Sequence, residues 1–311
     1  MALKQTMEAL DILDHPAVNG DKVTKLFTDK EYIEASYETV KGNNGSTDFV
    51  KILIKGKDGK KTGGKSPSLG IIGRLGGLGA RPERVGFVSD GDGAASAIAT
   101  AIKLAEMSER GDRLAGDVYI TTHICPDAPT RPHEPVEFMD SPVDILTMNQ
   151  YEVLPEMEAV ISIDATKGNK VFNHRGIALS QTVKEGYVLK FSDDLIRIKE
   201  VTTGELPVTF AVSTQDITPY GNNIYHINSI LQPAVATDAP VVGVAITTQS
   251  TVPGSGTGAS HEIDIAQAVR FSIEVAKEFG MAKLDFYDAK EFEYLQNLYG
   301  SMKHLQTLGD I

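Results

Sequence analysis

Several short apolar runs in this 311-residue sequence lead into side chains that can do chemistry. "VYITT" leads into His123, Cys125 and Asp127, "VISI" into Asp164, and "LGII" into Gly73 and Arg74. Asp90 and Asp92 stand one residue apart at the head of the small-residue run "GAASAIATAIKLAEM". Carboxylates and imidazole suit zinc or manganese, and a hydrolytic metal needs an open coordination position and a base for its water. Asp90 or Asp92, His123 and Asp164 could form one such three-ligand site, with Asp127 and His123 as the candidate catalytic groups. The segment "STQDITPYGNNIYHIN" adds Asp216, Tyr220 and His226 as candidate substrate-binding groups, and "STVPGSGTGASHE" adds Ser255 and His261. Arg74 joins the substrate-binding set, because a guanidinium can hold a carboxylate or phosphate in bidentate fashion. Plainer readings stand beside these: Asp92 can cap a helix, Asp164 can bond a loop, and His123 can be an ordinary strand-end histidine. Cys125, the only cysteine, is either a small buried residue or a nucleophile with His123 or His226 as its base.

Positioning these groups falls to the runs that precede them. "SLGII" (68–72), "DVYITTH" (117–123), "EAVISID" (158–164) and "VVGVAITT" (241–248) read as buried strands bounded by turn signals. They are continuous apolar runs, the pattern of central strands covered on both faces. Helices are expected over 3–13, 21–28, 93–110, 261–280 and about 288–308, with Gly280 as a stop. "KEYIEASYETVKGNNGSTDFVKILIKG" reads as strands around a Gly/Asn turn. The architecture predicted is α/β: three layers, α/β/α, around a mixed, mostly parallel sheet. Ligands of such sheets bind beyond the carboxyl ends of the strands, where the polar groups named above cluster.

The stretch 72–93, "IGRLGGLGARPERVGFVSDGDG", is glycine-rich, yet no nucleotide cofactor is expected from it. A dinucleotide fingerprint needs its glycines directly between strand and helix, and here Pro82 and "VGFV" intervene. The net charge of -12 offers no basic patch for nucleic acid. The basic run "KILIKGKDGKKTGGK" (51–65) reads as an exposed hairpin or loop. One cysteine permits no disulfide framework, no run of about twenty apolar residues exists, and the first residues lack the apolar core of a signal peptide. A cytoplasmic protein without membrane partners is expected.

The order of these motifs resembles the co-catalytic zinc aminopeptidases, of the tetrahedral and glutamyl aminopeptidase type, over roughly residues 50–280. "AVISIDAT" is similar to their strand ending in a metal-binding aspartate, and "FVSDGDGAASAIATAIKLAEM" to the segment with the bridging aspartate. The resemblance implies an aminopeptidase-like fold and a metal site drawn from Asp90, Asp92, His123 and Asp164. The departures matter as much. Arg74 stands where the family has a metal-binding histidine, and Gly76 where it has the partner aspartate. "HICPD" replaces the Glu-Glu pair, the late histidine is missing from "QSTVPGSG", and the lid insert is absent. Arg74 is therefore expected to replace the second metal by pairing with Asp90 or Asp92, leaving one divalent ion, zinc or manganese, or none. Without a lid, the proline-rich segment 125–144 should cover the cleft or contact another subunit, so a homo-oligomer is expected.

Across nearly the full length, "GRLGGLGARPERVGFVSDGDGA", "ITTHICPDAPT" and "TQDITPYGN" are similar to domain-of-unknown-function family 1177, which names no activity. A single domain over 1–311 follows, with helical additions at 1–30 and 288–310. The expected function is a hydrolase of an amide or peptide-like small substrate. The alternatives are a non-catalytic binding or assembly protein that holds an anionic small molecule, and a metal-free enzyme using Cys125 or a serine of "GSGTGAS".

Overall fold

The computed structural model describes residues 2–134, 136–218 and 228–307. Tyr220 and His226, two of the expected substrate-binding groups, lie outside these. Eleven strands occur in the described residues: β1 (Ile33–Gly42), β2 (Gly45–Ile54), β3 (Leu69–Gly73), β4 (Val118–Ile124), β5 (Thr130–Arg131), β6 (Phe138–Met139), β7 (Ala159–Ala165), β8 (Gly176–Lys184), β9 (Tyr187–Val188), β10 (Thr209–Phe210) and β11 (Val241–Thr247). The α-helices are α1 (Leu3–Leu13), α2 (Gly20–Thr24), α3 (Asp92–Glu109), α4 (Ile145–Glu152), α5 (Asp193–Thr203), α6 (Glu262–Gly280) and α7 (Ala289–Tyr299).

Nine strands form one sheet in the order β1-β2-β4-β3-β7-β11-β8-β10, with β9 attached to β8. The four runs read as buried strands are its adjacent centre, β4-β3-β7-β11, and all three contacts among them are parallel. Every residue of β3, β4 and β11 is buried. Alternate side chains enter two cores. Ile71, Ile161 and Val244 pack with Ile98 and Ile102 of α3 and Ile265 and Val269 of α6. Ile72, Val160 and Ala245 pack on the other face with Leu154, Ile230 and Leu231.

The small residues that open α3 let it approach the sheet closely. A Cβ on Gly93 would lie 2.3 Å from the carbonyl oxygen of Arg74. Strand end and helix start therefore touch backbone to backbone, a contact that only glycine permits.

The basic run 51–65 departs from its sequence reading. Residues 51–54 close β2, which lies between β1 and β4, and Ile52, Leu53 and Ile54 are buried. The strand reading of "KEYIEASYETVKGNNGSTDFVKILIKG" holds for these residues, and the loop begins only at Lys55. At the C-terminal end α7 stops at Tyr299, before Gly300, and a separate 3-10 turn covers Lys303–Gln306.

Candidate functional site

Parallel strands end on one side of a sheet, and register decides which ends lie level. Gly73 pairs with Thr122 of β4 and Ile163 of β7. The next residues along, Arg74, His123 and Asp164, therefore stand side by side at the carboxyl edge. The Arg74 amide donates to the Ile163 carbonyl at 2.7 Å, so the first residue past β3 is still fixed to the sheet.

Arg74 turns inward. Its side chain is 1 % exposed and forms an ion pair with Glu152, the last residue of α4. Its Nη2 donates to Asn149 Oδ1 at 2.9 Å. The other Glu152 oxygen accepts from His123 Nδ1 at 2.6 Å, and both side chains are fully buried. Burial works to raise the Glu152 carboxyl, but the charges and hydrogen bonds of Arg74 and His123 together hold it below its ordinary value. Thr121 Oγ1 and the Asn149 amide tie α4 down further, to the Glu152 and Gln232 carbonyls. The expectation that Arg74 pairs with Asp90 or Asp92 is thus corrected. Glu152 is the nearer and fully dehydrated partner, and it leaves the guanidinium internal, away from any external anion.

Asp92 has a different cation. Lys167 Nζ lies 2.6 Å from Asp92 Oδ2, and both side chains are buried. Burial raises the Asp92 pKa, opposed by the Lys167 charge and hydrogen bond and by Ser260. Asp92 is the first residue of α3 and makes no capping bond; Gly91 holds the cap position. Its charge still faces the positive end of that helix.

Asp90 is only half-buried. Its Oδ2 accepts from the Gly76 amide at 2.7 Å, and its own amide donates to the Gly254 carbonyl at 3.0 Å. Burial and the neighbouring Asp164 charge push the Asp90 pKa up to about 7. A Cβ on Gly76 would lie 2.9 Å from Asp90 Oδ2 and 3.3 Å from the Met139 and Asp140 carbonyls. Glycine there lets the turn after β3 close on the carboxylate and pack against residues 139–140 of the proline-rich segment. Asp164 is 4 % exposed, and its Oδ1 accepts from the Ala165 amide at 2.7 Å.

Asp127, Cys125 and Asp216 are not brought to this cluster, whereas Ser255 follows Gly254 beside Asp90, and the charge of His261 acts on Asp92. Asp127 is exposed, and its Oδ1 lies 3.8 Å from Cys125 Sγ. The Cys125 thiol is buried and pushed up to about 12 by burial and by Asp127, so it is no ready nucleophile. Asp216 accepts from the Ser213 amide and hydroxyl at 2.7 and 3.0 Å, a capping box on the turn Thr214–Ile217. Ser255 bonds Glu137 at 3.1 Å. A groove of about 970 Å³ lies at the opposite, amino end of the central strands, among Met157, Lys184, Pro240 and Tyr287, and none of the expected residues lines it.

The four expected metal ligands do not fit a metal centre as a set. His123 Nδ1 is held by Glu152 and its Nε2 is buried without a hydrogen-bond partner among the described residues, while Lys167 occupies Asp92 Oδ2. Among the described residues no three His, Cys, Asp or Glu side chains gather as a group that could hold a metal ion. Sequence reasoning missed Glu152, Asn149 and Lys167. Only Lys167 carried a signal, as the cation three residues beyond Asp164 in "IDATK".

The three-layer fold around a parallel centre is aminopeptidase-like. Residues 38–309 match the family described as a protein of unknown function, DUF1177, and the chain belongs to that family. No curated protein matches the chain. Among solved structures, a mutant of tomato leucine aminopeptidase superposes with a TM-score of 0.52 at 13 % identity, covering 88 % of this chain and 61 % of that one. The chain thus spans about three fifths of that aminopeptidase's length. A glutaminyl cyclase from an Acidobacteriales bacterium gives a TM-score of 0.49 at 12 % identity, covering 90 % of this chain and 94 % of the other. Among the described residues no helix is long and apolar enough to cross a membrane.

Proposed function

We propose that the chain is a hydrolase of an amide or peptide-like small substrate, with Asp90 as its acid–base group and Asp164 as the charge that tunes it. One observation carries this reading: a half-buried carboxyl, poised at about 7 beside a second carboxylate, at the carboxyl edge of the parallel strands. A carboxyl near neutrality can take a proton from an attacking water and return it to a leaving amine. The Gly76 amide holds Asp90 in place through one oxygen. The aminopeptidase neighbour adds only that this fold hosts amide chemistry elsewhere, and likeness of fold does not carry a reaction.

A second reading, a binding protein without catalysis, is favoured by the complete burial of Arg74, Glu152 and His123. Three charge-capable side chains there serve the interior alone. An anionic ligand gains nothing from Arg74, whose guanidinium is already engaged by Glu152 and Asn149.

The test is a panel of aminoacyl nitroanilides, dipeptides and N-acyl amides, given to wild type, Asp90→Asn and Asp164→Asn in chelator-treated buffer. Turnover by wild type that falls by about 100-fold or more in Asp90→Asn is the expected result. No turnover of any member, with saturable heat of binding for one of them, would replace the hydrolase by the binder.

A further inference from the structure

The start of α3 and the end of β7 deliver three carboxylates, Asp90, Asp92 and Asp164, to one stretch of the sheet edge. Asp164 acts on Asp90 strongly enough to be its main charged influence, and Asp92 acts on it as well. A buried carboxylate near two others needs a cation to balance it. The chain supplies that balance itself. Lys167 sits in the loop just after β7, and its four-carbon stem carries the ammonium inward to Asp92, where only 5 % of the side chain remains exposed. Asp92 is fully buried, and Lys167 is the cation in direct contact with it. The ammonium is thus the compensation that the burial of Asp92 depends on. A divalent ion on the same carboxylate would sit within a few ångströms of that fixed positive charge and be repelled.

We propose that Lys167 is the resident cation of the buried Asp92 carboxylate, and that the folded chain takes up no divalent metal beside it. The geometry rests on the buried pair alone and not on the reaction proposed above, so its test uses no turnover. Protein purified without chelator is analysed for metal, then melted with and without EDTA and with millimolar manganese or zinc. Lys167→Met, Asp92→Asn and the double variant are melted beside it.

Wild type should carry far less than one metal per chain and melt at the same temperature under all these conditions. Lys167→Met should melt about 5–10 °C lower, since it strands a buried charge. The double variant should regain most of that loss, because neither charge remains. Should Lys167→Met fail to fold, Asp92→Asn strands the ammonium instead, and its comparison with the double variant gives the same answer. Stoichiometric metal in wild type that leaves with EDTA and lowers the melting temperature would overturn the proposal. So would a double variant no more stable than the weaker single one.

Discussion

Arg74 and Glu152 form an ion pair with 1 % and 0 % of their side chains exposed, joining the end of β3 to the end of α4. Breaking such a pair by removing one partner costs about 3–5 kcal/mol, because the other charge stays buried alone. Arg74→Ala should lose stability of that order in urea titration. Arg74→Met with Glu152→Met should lose much less. Equal loss in the single and double variants would show that packing, not charge, sets the cost.

The pair also has an acid limit. The Glu152 carboxyl lies below its ordinary value of 4.5 when folded. Its contribution is therefore full above about that pH and is lost as pH falls through the lower folded value. Glu152→Gln should be less stable than wild type at pH 7, and the gap should close on acidification below 4.5. Melting curves between pH 7 and pH 3 measure this, and a gap that widens in acid would contradict it.

Asp90 has the opposite sign. Its carboxyl titrates at about 7 when folded, against an ordinary 3.8. The folded protein holds that proton more tightly, so the contribution is full below 3.8 and is lost as pH rises through about 7. Asp90→Asn escapes the loss. Its stability relative to wild type should grow across this window, with a slope of at most about 1.4 kcal/mol per pH unit, and level off above it. Under the proposed hydrolase reading, the rate profile of wild type should also show a limb near pH 7.

Cys125 should behave as packing. With its thiol pushed up to about 12, almost no thiolate exists at neutral pH, and thiolate is the reactive form. Iodoacetamide should label the native protein about 100-fold or more slowly than the urea-unfolded chain. Cys125→Ala should keep whatever turnover wild type has. Fast native labelling would reopen the nucleophile reading.

The central strands and the helices α1, α3 and α6 were legible because burial on both faces writes an unbroken apolar run, and a helix on a sheet writes small or periodic apolar residues. The arrival of Arg74, His123 and Asp164 at one edge followed from that alone. Strand β8 did not stand out, since Ser180, Gln181 and Thr182 interrupt its apolar pattern. The partners of the charged groups were not legible either. Glu152 ends an eight-residue helix with little apolar periodicity, and Lys167 lies in a loop. Which carboxylate meets which cation depends on how helices dock against the sheet, and spacing in the sequence holds no record of that. Arg74 was read as an anion-binding group paired with Asp90 or Asp92, and it lies buried against Glu152 instead.

The distances along the chain between these charges have a kinetic meaning. Arg74 and Glu152 are 78 residues apart, Asp92 and Lys167 are 75 apart, and His123 and Glu152 are 29 apart. None of these contacts can form within a local turn. Each must wait until β3, β4 and β7 are already paired and α3 and α4 have docked, since loop closure comes before the reward. Contacts closing loops this long are expected to form late, so the pairs should act as latches rather than as nuclei. Variants that break them should open the native state faster while leaving the refolding rate nearly unchanged. On this expectation the interior charges set how long the molecule stays folded, more than how quickly it gets there.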